Sequence, residues 1–262
     1  MSTPVLPLLG RGLTAGGAAG LAAGLFSLLL AEPLMDRAIR LEEARTDEHA
    51  EAGAHSHAEA GAAAVQHHEE LFTRGTQHFG LVVTSLVLGL ALGVLCAIAY
   101  ALIHRRSPDA APWPRALLLA GGAFLAVSLL PALRYPANPP GVGDSGTVTD
   151  RQGLWLAAVT IGVLGMLLVW QVYVRLAHRS LPVRQVAAAG TAIAILAVLF
   201  ALPGNPDEVP VSATLLWDFR VLSLASHALL WAVFGVVFGA LGLRALGRHA
   251  PATAPSGAVA AS

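Results

Sequence analysis

Five histidines and eight carboxylates fall within one polar stretch of the chain, between residues 42 and 70. Neutral imidazole and carboxylate are ligands for divalent transition metals such as cobalt, nickel, zinc and copper. The two histidines that are two positions apart would lie on one side of an extended chain and could reach one ion. The stretch is therefore predicted to concentrate metal weakly, and a solvated Ala- and Glu-rich linker is the alternative interpretation. Its histidines are His49, His55, His57, His67 and His68.

Glu32 is a further candidate ligand, because it lies at the edge of an apolar segment. The neighbouring Pro33 has no N–H, so a backbone carbonyl is left free there and could act as an oxygen ligand beside the carboxylate. Asp36 is four positions on and shares the same face of a helix. Asp36 is also four positions before Arg40, so an ordinary ion pair on a solvated helix explains Asp36 equally well.

His227 lies inside a long apolar segment, about 6–9 Å below the outer surface at 1.5 Å per helical residue. An ionisable side chain at that depth costs several kcal/mol without a partner, so it is a functional candidate as a ligand or proton relay. The alternative is a structural hydrogen bond to a carbonyl of a neighbouring helix. Asp218 and Arg220 before this segment are expected to form a rim pair or to anchor lipid head groups, and Trp217 to lie at the interface.

A Pro- and Gly-rich stretch, PALRYPANPPGVGDSGTVTDRQ, follows another apolar segment. Its four Pro and three Gly residues exclude a helix in this stretch and predict a fixed, turn-rich cap. Asn138, Asp144 and free carbonyls in it are oxygen ligands suited to a partly hydrated cation. A purely structural cap is equally consistent with the same residues.

The elements that position these residues are membrane spans. Of the 262 residues 55% are hydrophobic and only 12% charged, whereas soluble domains carry about 25% charged residues. A span needs about 20 apolar residues, and a transmembrane strand barrel would alternate apolar and polar positions, which this chain does not. We therefore predict an all-α polytopic membrane protein of about six helices. The predicted spans are Leu8–Ala31, Phe79–Ile103, Arg115–Leu133, Leu154–Arg175, Val183–Leu202 and Val221–Leu243.

Arginine distribution predicts the orientation, because short cytoplasmic loops retain positive charge. With the N-terminus inside, nine arginines flank the inner ends, three flank the two short outer loops, and four lie in or beside the long first outer loop. Both termini are thus predicted to be cytoplasmic. We expect one membrane domain, residues 1–246, with the His-bearing loop 35–78 inserted, and a disordered tail, 247–262. A cleaved secretory signal is the alternative reading of the first span.

The sequence lacks the residues that several other classes of protein need. All 16 basic residues are Arg and are balanced by 16 acidic residues, which argues against a nucleic-acid partner. The single cysteine, Cys96, excludes a disulfide framework or a thiolate cluster within one chain. No P-loop, nucleophile elbow or zinc-protease motif occurs, so we expect neither an enzyme nor a required cofactor.

Small residues recur every fourth position in two spans and predict close helix packing in lipid. Such ladders could also join copies of the chain into a homo-oligomer. The ladder positions are Gly12, Gly16, Gly20 and Gly24 in the first span, and Ser85, Gly89, Gly93, Ala97 and Ala101 in the second.

Three strings make the chain similar to the CbtA family of predicted cobalt transporter subunits. They are LFTRGTQHFGLVVT, LPALRYPANPPGVGD and FRVLSLASHALLWAVFGVVFG, accompanied by the acidic His-bearing loop. The resemblance implies a multi-pass protein of the bacterial inner membrane, cobalt uptake linked to cobalamin supply, and a small one-span His-bearing partner of the CbtB type. Family members are usually described with about five spans, so we expect either five or six spans in the mature protein. The resemblance supplies no site residues.

These features favour a membrane subunit of a divalent-metal uptake transporter, with Co²⁺ as the substrate that the resemblance implies. The outer loop would capture metal, and Glu32 and His227 would form the entrance. A non-transporting scaffold or metal-binding accessory subunit for a partner pore is the alternative. Metal efflux is a third reading, against which the predicted outer position of the loop argues.

Overall fold

The computed structural model describes residues 5–40, 74–106, 111–139, 142–143, 145–205, 207, 209 and 211–249. It confirms the prediction of an all-α membrane protein, because six helices in these ranges are long and apolar enough to cross a bilayer. The five loop histidines and the C-terminal tail from residue 250 lie outside the described residues.

Five of the six helices are longer than predicted, the fifth has the predicted length but begins two residues earlier, and two helices contain a π-helical segment. We number them as follows: α1, Val5–Phe26, a π segment Ser27–Ala31 and a helical continuation over 32–40; α2, Arg74–Arg106; α3, Pro112–Ala123, a π segment Phe124–Leu129 and Leu130–Arg134; α4, Val148–Arg175; α5, Leu181–Phe200; α6, Ala213–His249.

Proline explains the position of both π segments. Pro33 and Pro131 each follow the last residue of a π segment by two positions. A proline ring collides with the carbonyl four residues earlier and supplies no N–H to it. That carbonyl, of Leu29 or Val127, lies inside the π segment, where the wider turn accommodates the ring without ending the helix.

The glycine ladders pack α1 directly against α2. The sequence predicted close helix packing but did not identify the partner helices. A Cβ atom placed on Gly12, Gly16 or Gly20 would overlap backbone atoms of Gly93, Gly89 or Ser85. The pairing partner moves backward along α2 as the position moves forward along α1, so the two helices are antiparallel. Both ladders are therefore used within one chain, and a homo-oligomer would need a different surface.

The core lies where α6 crosses α1 and α3. Trp231, Phe234 and Phe238 follow one face of α6 and are nearly or completely buried. On its other flank Ser226 Oγ lies 2.9 Å from Ser27 Oγ in the π segment of α1. Helices α4 and α5 pack against each other and reach the other helices mainly through α3.

Consecutive helices alternate in direction, so α1 begins at the same end of the bundle at which α6 finishes. Arg11 accordingly donates a 3.2 Å hydrogen bond to the carbonyl of Phe238. We call the opposite end, where α1, α3 and α5 finish, the acidic end. It carries all the described carboxylates, which are Glu32, Asp36, Asp150, Asp207 and Asp218. Which end faces the cytoplasm remains a prediction.

Candidate substrate entrance at the acidic end

A cavity of about 820 Å³ opens at the acidic end between α3, α4 and α6. Its wall is mostly apolar, and a few polar side chains converge on it, as in small-ligand sites. The polar lining includes Asn138, Arg151, Asp207, Arg220, Ser223 and His227.

The Pro-rich segment after α3, which we call the cap, lines this cavity. The sequence predicted no helix in this stretch, but its first and last residues, 131–134 and 148–152, belong to α3 and α4. Arg220 of α6 donates from Nη2 to Asn138 Oδ1 at 2.9 Å and from Nε to the Ala137 carbonyl at 3.4 Å. Arg220 makes these two hydrogen bonds and does not form the expected rim pair with Asp218. The amide oxygen of Asn138, a predicted cation ligand, accepts from a guanidinium instead, and Asp144 lies outside the described residues.

An ion pair joins the cap to the segment before α6. Arg151 Nε lies 3.1 Å from Asp207 Oδ2, and Asp207 has 3% of its side chain exposed. Thr147 Oγ1 donates to Asp207 Oδ1 at 2.7 Å, and Arg151 Nη1 donates to the Val142 carbonyl at 3.3 Å. Gly143 lies on this pair with φ +104°, and a Cβ there would overlap Arg151. Glycine is required here by both conformation and space.

The end of α3 is tied to the end of α5 by two further hydrogen bonds. Arg134 Nη2 donates to the Leu202 carbonyl at 2.5 Å, and the Tyr135 hydroxyl donates to the Pro203 carbonyl at 2.7 Å. The string LPALRYPANPPGVGD thus contributes Arg134, Tyr135, Asn138 and Gly143 to one cap.

His227 lines the cavity. It lies about 21 Å along α6 from Ala213, which is farther than expected because the helix begins eight residues earlier than predicted. Its Nδ1 donates to the Ser223 carbonyl at 3.0 Å, within the same helix and not across to a neighbour. A neutral ring with Nδ1 protonated presents an Nε2 lone pair, the arrangement that second-shell hydrogen bonds give to metal-binding histidines. Nε2 has no hydrogen-bond partner among the described residues.

The cavity ends at a buried hydrogen bond between α6 and α3. Trp231 Nε1 donates to Ser128 Oγ at 3.0 Å, and both side chains are more than nine-tenths buried. Ser128 belongs to the π segment of α3. Below it Trp231, Phe234 and Phe238 continue as a column of aromatic contacts toward Tyr100.

Glu32 lies apart from this cavity and pairs with a histidine that the sequence reasoning did not select. Its Oε1 is 2.8 Å from His78 Nε2 of α2, with side-chain exposures of 14% for Glu32 and 39% for His78. The two residues flank the His-bearing loop, so an antiparallel α1–α2 hairpin brings them together. The α1–α2 hairpin could have been predicted from the sequence, and it would have identified His78 as a neighbour of Glu32.

The seven predicted metal ligands are therefore not brought together by the described structure. Glu32 lies between α1 and α2, His227 lines the cavity, and the five loop histidines lie outside the described residues. Within the described ranges no three His, Cys, Asp or Glu side chains are close enough to hold one metal ion.

Comparison with known proteins adds one result. A family model with the description probable cobalt transporter subunit (CbtA) matches residues 6–242. No curated protein and no solved structure matches the chain.

Proposed function

Because the chain belongs to the CbtA family of probable cobalt transporter subunits, we propose that it is the membrane subunit that takes in Co²⁺ from the acidic end. The loop histidines and carboxylates would raise the local metal concentration, and Glu32 with His78 would receive the ion at the foot of the loop. His227 would offer the next ligand inside the cavity.

The contact between Glu32 and His78 is the observation that carries this proposal. Two ligand atoms bound at right angles to one ion by bonds of about 2.1 Å lie about 3.0 Å apart. Glu32 Oε1 and His78 Nε2 are already 2.8 Å apart, so a divalent ion could replace the shared proton with little movement of either helix. Two protein ligands hold an ion less firmly than three or four, which suits an ion that must move on.

The metal identity rests on the family and not on these ligands. Nitrogen and oxygen sites bind divalent metals more strongly from cobalt through nickel to copper. An imidazole and a carboxylate therefore do not select cobalt by themselves. Selectivity is proposed to come from the assembled transporter, which would include a small His-bearing subunit of the CbtB type.

Electrical energy is sufficient to drive inward movement. Two charges crossing 100 mV release about 4.6 kcal/mol, twice the value for one charge. The proposal therefore needs no nucleotide hydrolysis by this chain. The accessory-subunit alternative predicts metal or partner binding without flux.

Uptake of radioactive cobalt tests the proposal, both in cells and in vesicles that contain the purified chain. Glu32→Ala and His78→Ala are each expected to lower the initial uptake rate about tenfold or more, because either change removes one of two ligands. His227→Ala is expected to lower it as well. Asp150→Ala and His178→Ala are matched controls, since both native side chains are exposed on helices or turns away from these contacts.

Unchanged uptake in both Glu32→Ala and His78→Ala would refute the entrance. Cobalt binding without flux in the vesicles, together with uptake in cells that requires a partner subunit, would support the accessory role instead.

A further inference from the structure

The cavity holds more positive than negative charge among its described lining residues. Arg151 is balanced by Asp207 at 3.1 Å. Arg220 makes its two hydrogen bonds to uncharged acceptors, the Asn138 amide and the Ala137 carbonyl. No carboxylate pairs with Arg220 in the described part of the chain. Among the residues that the structure describes, the Arg220 guanidinium therefore has no counter-ion, and it lies in a largely apolar cavity.

Arg220 also keeps the capacity to bind an anion. A guanidinium has five N–H donors in a planar fork, and the hydrogen bonds to Asn138 and Ala137 use two of them. The remaining donors match the oxygens of a phosphate group, which Arg binds in a bidentate manner. Asn138 and Ala137 fix the plane of the fork in advance, so little side-chain entropy would be lost on binding.

The surroundings of Arg220 indicate that the anion belongs to a lipid. Arg220 is about 10 Å along α6 from Ala213, so it lies near the acidic end of a membrane-spanning helix, where lipid head groups are expected. Trp155 of α4 and Trp217 of α6, 44% and 69% exposed, flank the cavity as aromatic residues do at a membrane interface. Between them the wall is apolar, formed by residues such as Leu154, Val221 and Leu224.

We propose that this cavity binds one anionic phospholipid, with its phosphate on Arg220 and its acyl chains along Leu154 and Val221 between α4 and α6. The bound phosphate neutralises the positive charge of Arg220. This matters for the proposed function, on which this consequence rests, because an uncompensated guanidinium would repel a divalent cation approaching His227 in the same cavity.

Native mass spectrometry of the full-length protein in detergent tests the proposal with defined lipids. The protein is expected to retain phosphatidylglycerol at least tenfold more strongly than phosphatidylcholine. Arg220→Gln should lose this preference, whereas Arg179→Gln, an exposed arginine at the other end of the bundle, should keep it. Equal retention of both lipids by the unmodified protein, or an unchanged preference in Arg220→Gln, would overturn the proposal.

Asn138→Asp provides a second variant that keeps the guanidinium and its neighbour in place. It supplies Arg220 with a carboxylate of its own, so phosphatidylglycerol retention is expected to fall about tenfold while thermal unfolding stays cooperative. Retention at the level of the unmodified protein would contradict phosphate binding by Arg220.

Free anions form a separate arm of the experiment. Inorganic phosphate or glycerol 3-phosphate at millimolar concentration should not displace the lipid, because the acyl chains contribute to binding. Displacement by either would identify a free-anion site and overturn the lipid assignment. Lipid retention is measured without metal, so its loss leaves the cobalt entrance at Glu32 and His78 standing, and a failure of cobalt uptake leaves lipid retention unaffected.

Discussion

Trp231 and Ser128 meet where the cavity ends, with the indole N–H donating to the hydroxyl oxygen at 3.0 Å. The contact joins α6 to the π segment of α3, two elements that are 103 residues apart in sequence. The contact lies between the cavity and the stacked aromatic side chains Phe234 and Phe238. Below this contact no described residue of α6 lines the cavity.

Trp231→Phe should destabilise the protein by about 1 kcal/mol, because it removes this hydrogen bond and leaves the Ser128 hydroxyl buried. Thermal unfolding in detergent measures the change. Trp170→Phe is the matched control, since Trp170 is 48% exposed on the outside of α4 and should alter the midpoint little. An equal shift in the two variants would mean that the hydrogen bond contributes nothing measurable.

Gly16→Ala should destabilise the α1–α2 pair by about 1–3 kcal/mol or more, the usual cost of overpacking, because the added Cβ overlaps the Gly89 backbone. Gly190→Ala in α5 is the control, since a Cβ there meets nothing within 4 Å and alanine favours a helix. Unfolding midpoints of the two variants should move in opposite directions. A stable Gly16→Ala protein would contradict the close backbone packing.

Gly143→Ala should cost about 1–3 kcal/mol, because its positive φ strains an L-residue and the methyl group displaces Arg151 from its place beside Asp207. Limited proteolysis of the cap and the unfolding midpoint both measure the effect. Gly204→Ala in the neighbouring segment should be close to neutral, since its nearest non-adjacent atom is 4.0 Å away. Similar protease sensitivity in both variants would argue against the assigned role of Gly143.

Deleting residues 49–68 should raise the cobalt concentration needed for half-maximal uptake, while the maximal rate changes little. The deleted stretch contains all five loop histidines and is predicted to raise local metal concentration about tenfold, the lower range for charged clefts. Uptake measured over a range of cobalt concentrations separates the two parameters. A lower maximal rate with an unchanged half-saturation concentration would place the loop in transport and not in capture.

The predicted orientation places the loop on the extracytoplasmic side, and a reporter fused near His57 checks it. An enzyme that is active only outside the cytoplasm should be active at that position and inactive when fused after Arg248. The reverse pattern would invert the bundle and reverse the proposed direction of transport.

Segment length and hydropathy predicted the six helices, because crossing a bilayer imposes a minimum apolar length that can be read directly from sequence. The glycine ladders were equally readable, since their four-residue spacing specifies one helix face. The Pro-rich cap was predicted as a turn-rich element for the same local reason. Pro112 and Pro182 lie in the first turn of α3 and α5, where a missing N–H is tolerated.

The partners of the polar residues were not readable, because they depend on which helices become neighbours. Arg151 and Asp207 are 56 positions apart, and Arg220 and Asn138 are 82 apart. Neighbours in sequence suggested other pairings, such as Arg220 with Asp218. Hydropathy also missed the first two turns of α6, whose polar residues such as Asp218 and Arg220 line cavities between helices. His227 is consequently deeper along its helix than expected.

The π segment of α3 has one more consequence. It borders the cavity on one side and receives α4 on the other, where a Cβ on Gly162 would overlap the Ala126 carbonyl. Because α4 and α5 contact the remaining helices chiefly through α3, the winding of this segment helps to set where that pair lies relative to α6. The π segment of α3 therefore contributes to the width of the cavity that His227 lines.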